Sequence, residues 1–228
     1  MISVVIPTLD AEATLVASLA PLVSGVAEGL VREAVVADGG STDATREIAD
    51  AAGCRVISVA RGRGAQLAAG AAAARSPWLL FLHADTVLDE GWRREVRSFI
   101  EGADRQGGEA AASFSFALDD FGARARWLEA AAMARCKLFG LPYGDQGLLI
   151  SRRLYDRLGG FRPLPLMEDV DLVRRIGRRR LTLLRTRAVT SAARYRRDGY
   201  ASRAARNAVC LGLYFAGVPP ARIARLYG

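Results

Sequence analysis

The sequence predicts an α/β fold, with a Rossmann-like and mostly parallel sheet that carries helices on both faces. Short β-branched or apolar runs alternate with helically spaced residues through residues 1–106, and short loops join them. The run at residues 78–82 is apolar throughout, which is typical of a strand buried on both faces of a parallel sheet. The length of 228 residues is enough for one sizeable domain of this class.

Strands and helices alternate in the first half, residues 1–106. The first strand closes at Pro7, and Leu15, Leu19 and Leu22 then recur at helical spacing. This order predicts a doubly wound sheet. The predicted strands cover residues 2–6, 33–37, 55–59 and 78–82, and the predicted helices cover residues 15–26, 45–52, 65–74 and 90–100.

A second half, residues 107–228, follows a change in composition near residues 102–109. Residues 112–116 alternate small polar with aromatic side chains, which predicts a half-exposed strand. We expect both halves to form a single domain with a helical C-terminal extension. Further strands are predicted at residues 147–150 and 181–184, and helices at 121–139, 152–158, from 168 onward, 199–215 and 220–226.

The charge of the chain indicates an anionic partner. The net charge is +8, and the arginines gather at residues 174–187 and 194–206. Such clusters suit a pyrophosphate, an anionic membrane surface or nucleic acid. No RNA-binding or helix-turn-helix signature accompanies them, so we expect no nucleic-acid partner.

Cysteine spacing and hydropathy predict a cytoplasmic protein. Cys54, Cys136 and Cys210 are scattered and odd in number, which favours free thiols in a reducing compartment. The chain starts in a strand without a signal-peptide pattern. The apolar run at residues 208–218 is too short to cross a bilayer.

His83 and Asp85 follow the buried run at residues 78–82. Both side chains point to the same side of an extended segment, at the sheet edge where α/β proteins bind ligands. Two such ligands suggest a divalent cation, and a cation suggests phosphates. The alternative is that Asp85 caps the next helix and that His83 is a packed edge residue.

Two loops with glycine open helices after predicted strands. In residues 38–43, Asp38 could accept hydrogen bonds from a base or ribose, while Ser41 or Asp43 caps the helix. Residues 62–67 imitate a dinucleotide fingerprint, which leaves a dehydrogenase open, but Leu67 stands at the third glycine position. We interpret this loop as placing Arg61 or Arg63 on a phosphate.

Two acidic clusters lie in the second half, at residues 143–147 and 167–171. Glu168 and Asp169 open a helix, where the helix dipole favours carboxylates. One of them could instead be a general base that deprotonates a hydroxyl. Their spacing alone does not separate these interpretations.

These motifs, together with residues 4–8 and 147–161, occur in an order that resembles family 2 glycosyltransferases with the GT-A fold. The resemblance runs from Ile2 to about residue 175. The segments His83-Ala84-Asp85 and Gly144-Asp145-Gln146-Gly147 are most similar to a bacterial subgroup, "transferase 2", associated with radical-SAM and selenodomain proteins.

The resemblance implies roles for particular residues. Asp85 matches the last acid of the family's Asp-x-Asp motif, which binds Mn²⁺ or Mg²⁺, and His83 stands in place of the first acid. Asp169 matches the general base. Donor contacts are implied for Pro7, Thr8, Glu12, Asp38, Arg61, Arg63, Gly64, Ala84 and Asp85. Acceptor-side positions are implied for Gly144, Asp145, Gln146 and Glu168.

The implied reaction is an inverting, metal-dependent transfer of a sugar from a nucleoside diphosphate, UDP- or GDP-linked, to an acceptor hydroxyl. The resemblance leaves the acceptor open as a small molecule, a glycan or a lipid-linked compound. A nucleotidyltransferase is disfavoured because residues 7–12 lack its glycine-rich, lysine-bearing loop. A nucleotide-binding module without turnover is disfavoured by the acid pair Glu168-Asp169.

The C-terminal segment admits two interpretations. Basic residues 194–206 precede apolar residues 208–218, which could lie peripherally on the inner face of a membrane. The favoured alternative is a helix that packs its apolar side on the domain or on the second subunit of a homodimer.

Overall fold

The computed structural model describes residues 1–227, which form one eight-stranded sheet flanked by ten helices. The strand order is β3-β2-β1-β4-β7-β6-β8-β5. The strands are β1 (Ile2–Thr8), β2 (Val31–Asp38), β3 (Arg55–Ser58), β4 (Trp78–Phe81), β5 (Thr86–Leu88), β6 (Ala111–Leu118), β7 (Leu148–Ser151) and β8 (Leu181–Thr190). The helices are α1 (Glu12–Ala27), α2 (Thr45–Ala51), α3 (Arg63–Ala73), α4 (Trp92–Arg105), α5 (Ala123–Phe139), α6 (Arg152–Arg157), α7 (Glu168–Ile176), α8 (Ala193–Asp198), α9 (Tyr200–Phe215) and α10 (Pro220–Tyr227).

The two halves of the chain share this sheet but pair their strands differently. Strands β1 to β4 are parallel to one another, as the sequence predicts. The antiparallel pairing of β4 with β7 joins the halves, and β6 then lies antiparallel to β7 and parallel to β8. Parallel register brings Thr8 opposite Asp38, so the carboxyl ends of β1 and β2 meet at one edge.

The core lies on both faces of the sheet, which confirms the predicted fold class. Val4 faces the layer that contains α1 and α4, whereas Val5 faces α3, α6 and α7. Successive residues of a strand point to opposite faces, so a buried central strand needs a continuously apolar sequence. In α3, a Cβ on Gly70 would lie 2.3 Å from Val5 Cγ1, so this glycine lets the helix approach the sheet.

Strand β6 is buried rather than half-exposed, which corrects the prediction for residues 112–116. It lies between β7 and β8, inside the sheet. Ser113 and Ser115 are accommodated because their hydroxyls donate to the carbonyls of Gly147 (2.9 Å) and Leu184 (2.7 Å). The alternation reflects satisfied buried hydroxyls and not a face open to water.

The C-terminal helices pack on the domain, as the favoured interpretation expects. Cys210 of α9 and Ile223 of α10 are buried against Met167 and Val170, at the start of α7. None of the helices within residues 1–227 has both the length and the apolar character needed to cross a membrane. The three cysteines are free.

Candidate active site

An open cleft of about 780 Å³ lies beyond the ends of β4 and β8. The metal-ligand candidates of the first half and the acidic clusters of the second half both face it. Its polar lining consists of Arg63, His83, Asp85, Tyr143, Asp145, Asp169, Thr190, Ser191, Arg194, Tyr195, Arg203 and Asn207. The tertiary structure therefore brings together side chains that lie far apart in the sequence.

His83 and Asp85 occupy the short connection between β4 and β5. Asp85 is half-buried and accepts a weak hydrogen bond from the Thr190 hydroxyl at 3.4 Å. Burial, reinforced by the charges of Arg63 and Arg194, lowers the pKa of His83 to about 3. His83 is therefore neutral at pH 7, which is the form of imidazole that binds metals.

Asp169 lies in the first turn of α7, opposite His83. Its Oδ2 accepts the backbone N–H of Gly144 at 2.7 Å, and its Oδ1 accepts the N–H of Val170 at 2.7 Å. Met167, the residue before α7, has a left-handed backbone with φ of 65°. Such a conformation is costly for a residue with a Cβ and is found most often at functional sites.

Gly144 is the point where His83 and Asp169 approach each other. A Cβ at this position would lie 2.8 Å from His83 Nε2 and 3.2 Å from Asp169 Oδ2. Only glycine leaves the cleft floor open between the imidazole and the carboxylate. The predicted acceptor-side position of Gly144 is consistent with this geometry.

Asp145 faces the cleft with a carboxylate that is only partly satisfied. Its Oδ1 is buried and has no hydrogen-bond partner among the described residues. Burial raises the pKa of Asp145 to about 6, an effect that Arg135 opposes and the charges of Asp169 and Asp85 reinforce. The site therefore contains three acids, Asp85, Asp145 and Asp169, that influence one another electrostatically.

Glu168, predicted to lie on the acceptor side, forms an ion pair with Arg63. The Arg63 Nε donates to Glu168 Oε1, and the Glu168 side chain is only 1% exposed. Burial raises the pKa of Glu168, while Arg63 opposes the shift. Arg63, predicted to lie near the diphosphate, does line the cleft but is held by this ion pair.

Asp38 organises its own loop. Its carboxylate is fully buried and accepts hydrogen bonds from the Thr8 hydroxyl, from the Ser41 hydroxyl and from the N–H groups of Gly40 and Ser41. Burial raises the pKa of Asp38, but these hydrogen bonds outweigh it and leave the pKa below its usual value. In this conformation the carboxylate holds the loop, so base contact by Asp38 stays a prediction.

Glu12 and Asp43 join the loops after β1 and β2. The N–H of Glu12 donates to Asp43 Oδ2 at 3.0 Å, and Glu12 Oε2 accepts the N–H of Ala44 at 2.9 Å. Thr45 completes the link by accepting the N–H of Ala11 at 2.7 Å. Glu12 thus accepts a hydrogen bond from a backbone N–H at the start of α2. Its predicted contact with the nucleotide sugar is untested.

The remaining predicted donor residues have local explanations. Gly64 allows α3 to approach the loop before α7, because a Cβ there would lie 2.5 Å from the Arg162 carbonyl oxygen. The Ala84 carbonyl accepts the Ser18 hydroxyl at 2.7 Å. Arg61 is exposed, and Pro7 lies half-buried in β1.

Gln146 does not line the cleft, and its predicted acceptor-side position stays untested. Gln146 is fully buried, its Oε1 accepts the N–H of Tyr143 at 3.2 Å, and its Nε2 donates to the Phe114 carbonyl at 3.0 Å. The side chain therefore closes the turn Gly144–Gln146 from behind. Sequence spacing could not reveal this, since the turn points neighbouring side chains in opposite directions.

Several cleft residues come from the C-terminal part of the chain, which sequence reasoning described only as basic. They are Thr190, Ser191, Arg194, Tyr195, Arg203 and Asn207. Arg194 is exposed and makes no hydrogen bond or ion pair within residues 1–227, whereas Arg203 donates to Asp198 at 2.9 Å. The arginine cluster at residues 194–206 was the available signal.

The residues present fit a divalent cation. His83 provides a neutral imidazole, and Asp85 provides a half-buried carboxylate. Asp145 provides a buried carboxylate oxygen that has no hydrogen-bond partner among the described residues. Within the described part of the chain, no group of three or more His, Cys, Asp or Glu side chains, these three included, is arranged to hold a metal ion by itself. A phosphate-bearing ligand would therefore have to complete the coordination.

Known proteins share both the sequence of the first half and the fold of the whole. Residues 3–111 match the model of the family Glycosyl transferase family 2. A glucosyl-3-phosphoglycerate synthase of Mycolicibacterium paratuberculosis is 39% identical over 95 residues, and the match covers 38% of this chain. The corresponding synthase of Mycobacterium tuberculosis is 38% identical over 95 residues. The matched segment spans 29% of the length of these relatives.

Solved structures of the Mycobacterium tuberculosis synthase extend the similarity. Its complex with Mn²⁺, UDP and glucosyl-3-phosphoglycerate has a TM-score of 0.62 at 27% identity, over 96% of this chain and 81% of that chain. A complex with Mn²⁺, UDP and phosphoglyceric acid has a TM-score of 0.57 at 28% identity, over 81% and 68% of the two chains. Residues 3–111 therefore carry the sequence signature of glycosyl transferase family 2, on a chain that has the GT-A fold.

Proposed function

We propose that this protein is an inverting, metal-dependent glycosyltransferase that moves a sugar from a nucleoside-diphosphate sugar to an acceptor hydroxyl. One observation carries the proposal: the metal-ligand candidates His83 and Asp85 and the candidate base Asp169 face each other across one cleft, with Gly144 between them. The family match over residues 3–111 supports the donor half of this assignment.

On the donor side, Asp85 and His83 would hold Mn²⁺ or Mg²⁺. The cation supplies neutralisation of the charge that develops on the departing diphosphate. Arg63 and Arg194 line the same part of the cleft, and their charges reach His83. UDP is the favoured nucleotide, because the similar synthase structures contain UDP.

On the acceptor side, Asp169 takes the proton of the attacking hydroxyl. The backbone N–H groups of Gly144 and Val170 fix the carboxylate in one orientation. A base held in this way can accept the proton as the oxygen attacks the anomeric carbon. Attack from the side opposite the leaving diphosphate inverts that centre. Asp145 lies beside Asp169 and is proposed to contact the acceptor.

For the acceptor, we propose only a chemical class. Arg203 and Asn207 also line the cleft, and basic side chains of this kind favour an acceptor with an anionic group. The similar synthase structures hold phosphoglyceric acid, which is of that class. The resemblance to the radical-SAM-associated subgroup implies no particular acceptor. A cytoplasmic location and a homodimer also stay predictions.

The first experiment is a thermal-shift panel of UDP, GDP, CDP, ADP, dTDP and NADH, each with Mn²⁺, Mg²⁺ or EDTA. A ligand that binds the folded state raises the melting temperature by mass action. We expect a rise with UDP that requires the metal. A rise with NADH, or a nucleotide effect that survives EDTA unchanged, contradicts the proposal.

The second experiment tests turnover with the Asp169→Asn variant. We expect it to bind the metal and nucleotide like the wild type and to lose transfer by about 100-fold or more, the contribution typical of a general base. Asp50→Asn, an exposed carboxylate of α2, is the matched control and should transfer normally. Wild-type turnover by Asp169→Asn would exclude this residue as the base. If the wild type binds nucleotide but shows no sugar transfer, the result would favour a nucleotide-binding module without turnover.

A further inference from the structure

An exposed apolar stripe runs along one side of α5. Trp127, Ala131, Ala134 and Leu138 recur at intervals of four, three and four residues, so they share one side of the helix. Trp127 is 78% exposed and Leu138 63% exposed, and the adjoining Phe139 is 62% exposed. The helix has 17 residues and is about 25 Å long.

Cations flank this stripe at both ends. Arg124 precedes it, and Lys137 lies at its end, beside the turn Arg178–Arg180 that leads into β8. Arg178 fastens the turn to the helix, because its guanidinium donates to the carbonyls of Leu138 (2.7 Å) and Lys137 (3.1 Å). The whole surface is termed the α5 face. It comprises Arg124, Trp127, Ala131, Ala134, Lys137, Leu138, Phe139 and Arg178–Arg180.

The cations of the α5 face lack acidic partners. Within residues 1–227, Arg124, Lys137, Arg179 and Arg180 form no ion pair, although Arg126 on the same helix pairs with Glu129. Residues 130–140 and 172–192 contain no Asp or Glu. The α5 face therefore combines exposed apolar side chains with cations that have no acidic partner.

We propose that the α5 face docks on an anionic membrane surface. Trp, Leu and Phe side chains insert at the boundary between headgroups and acyl chains, and adjacent Lys and Arg side chains bind lipid phosphates. Lys137, Arg178 and Thr182 line an open depression beside the stripe, where the two cations could bind a lipid phosphate. The contact lies on α5 and not on the C-terminal segment, where α9 buries Cys210 against the domain.

Charge and chemistry favour this partner over two others. A symmetric contact with a second copy would place the cations of one α5 face against those of the other. Nucleic acid would neutralise the cations but leave Trp127 and Leu138 without apolar burial. An anionic bilayer satisfies both kinds of side chain together.

The test measures co-sedimentation of the full chain with phosphatidylcholine vesicles, with and without phosphatidylglycerol. We expect binding only to the anionic vesicles and weaker binding at high salt. Arg179→Glu with Arg180→Glu should weaken binding about 25-fold, on the basis of about fivefold per cation near the surface. Trp127→Ser with Leu138→Ser should also weaken it, and the loss should persist at low salt.

A charge-matched control is Arg32→Glu with Arg46→Glu, two exposed arginines near the opposite edge of the sheet. It should bind vesicles like the wild type, and melting temperatures show that each variant is folded. Equal loss in the control, or no vesicle binding by the wild type, overturns the proposal. Loss of a dimer in Trp127→Ser with Leu138→Ser would assign the face to a second copy instead. Because the α5 face lies outside the cleft, these outcomes do not bear on the transferase assignment.

Discussion

The loops after β1 and β2 and the surroundings of the cleft use their carboxylates in opposite ways. In these loops, Asp38 accepts four hydrogen bonds, and Glu12 and Asp43 join the two segments. Around the cleft, one oxygen of Asp145 and one of Glu168 are buried without a partner among the described residues.

Satisfied and unsatisfied carboxylates suit different tasks in a binding site. Satisfied polar groups fix the loops after β1 and β2, which we propose to bind the nucleotide. These loops would therefore already be ordered before a nucleotide binds. Unsatisfied carboxylates carry a cost in the free protein, and Asp145, which lines the cleft, is available to a cation or to a substrate hydroxyl. Four variants test this difference, and they follow in order of decreasing expected effect.

The largest effect is expected for Asp85→Ala, which removes a carboxylate of the cleft. Metal-dependent binding of UDP should weaken by more than about 100-fold, because a direct ligand is lost. Isothermal titration with Mn²⁺ and with EDTA measures this. Asp89→Ala, at an exposed ion pair with Arg187, is the control and should bind normally. Unchanged Mn²⁺ dependence in Asp85→Ala would rule out this ligand.

A somewhat smaller effect is expected for Gly144→Ala. The added Cβ would displace the His83 imidazole or the Asp169 carboxylate, which lie 2.8 and 3.2 Å from its position. A displacement near 1 Å lowers kcat by about 100-fold, while the melting temperature should change little. Gly102→Ala, in an open part of α4, is the control. A wild-type kcat for Gly144→Ala would show that the two groups need not approach each other.

Gln146→Ala should affect stability rather than chemistry. It leaves the Tyr143 N–H and the Phe114 carbonyl without their partner, which costs about 1–3 kcal/mol. For a chain of this size the melting temperature should fall by about 2–4 °C per kcal/mol. The KM for the acceptor, measured on folded protein, should stay the same. A raised KM at unchanged stability would support Gln146 as an acceptor contact.

The smallest effect is expected for Asp145→Asn, in the pH dependence of stability. Burial raises the folded-state pKa of Asp145 to about 6, so the folded state binds more protons than the unfolded state between about pH 4 and pH 6. Wild-type stability therefore falls as pH rises through this window. Melting temperatures in EDTA should show a shallower fall for Asp145→Asn. Parallel curves for the two proteins would contradict the buried, ionisable state of Asp145.

Local sequence was sufficient for strands β1 to β4 of the first half. The apolar run at residues 78–82 and the glycine-containing loops encode buried parallel strands and tight turns, and the structure has them within a residue or two. Strand β5 was missed because three residues are too few for a periodicity. Strand β8 is longer than predicted, since its arginines at alternating positions reach solvent while its backbone pairs with β6.

The sequence by itself determined the fold class, the strand-end positions of His83 and Asp85, and the acid pair that opens α7. Only the tertiary structure decided what each polar residue does. The reason is that hydrogen-bond partners such as Glu168 and Arg63 lie 105 residues apart, and no local pattern encodes such a pairing. Likewise, Asp145 faces the cleft and Gln146 the core because the turn that carries them is fixed by Phe114 of β6.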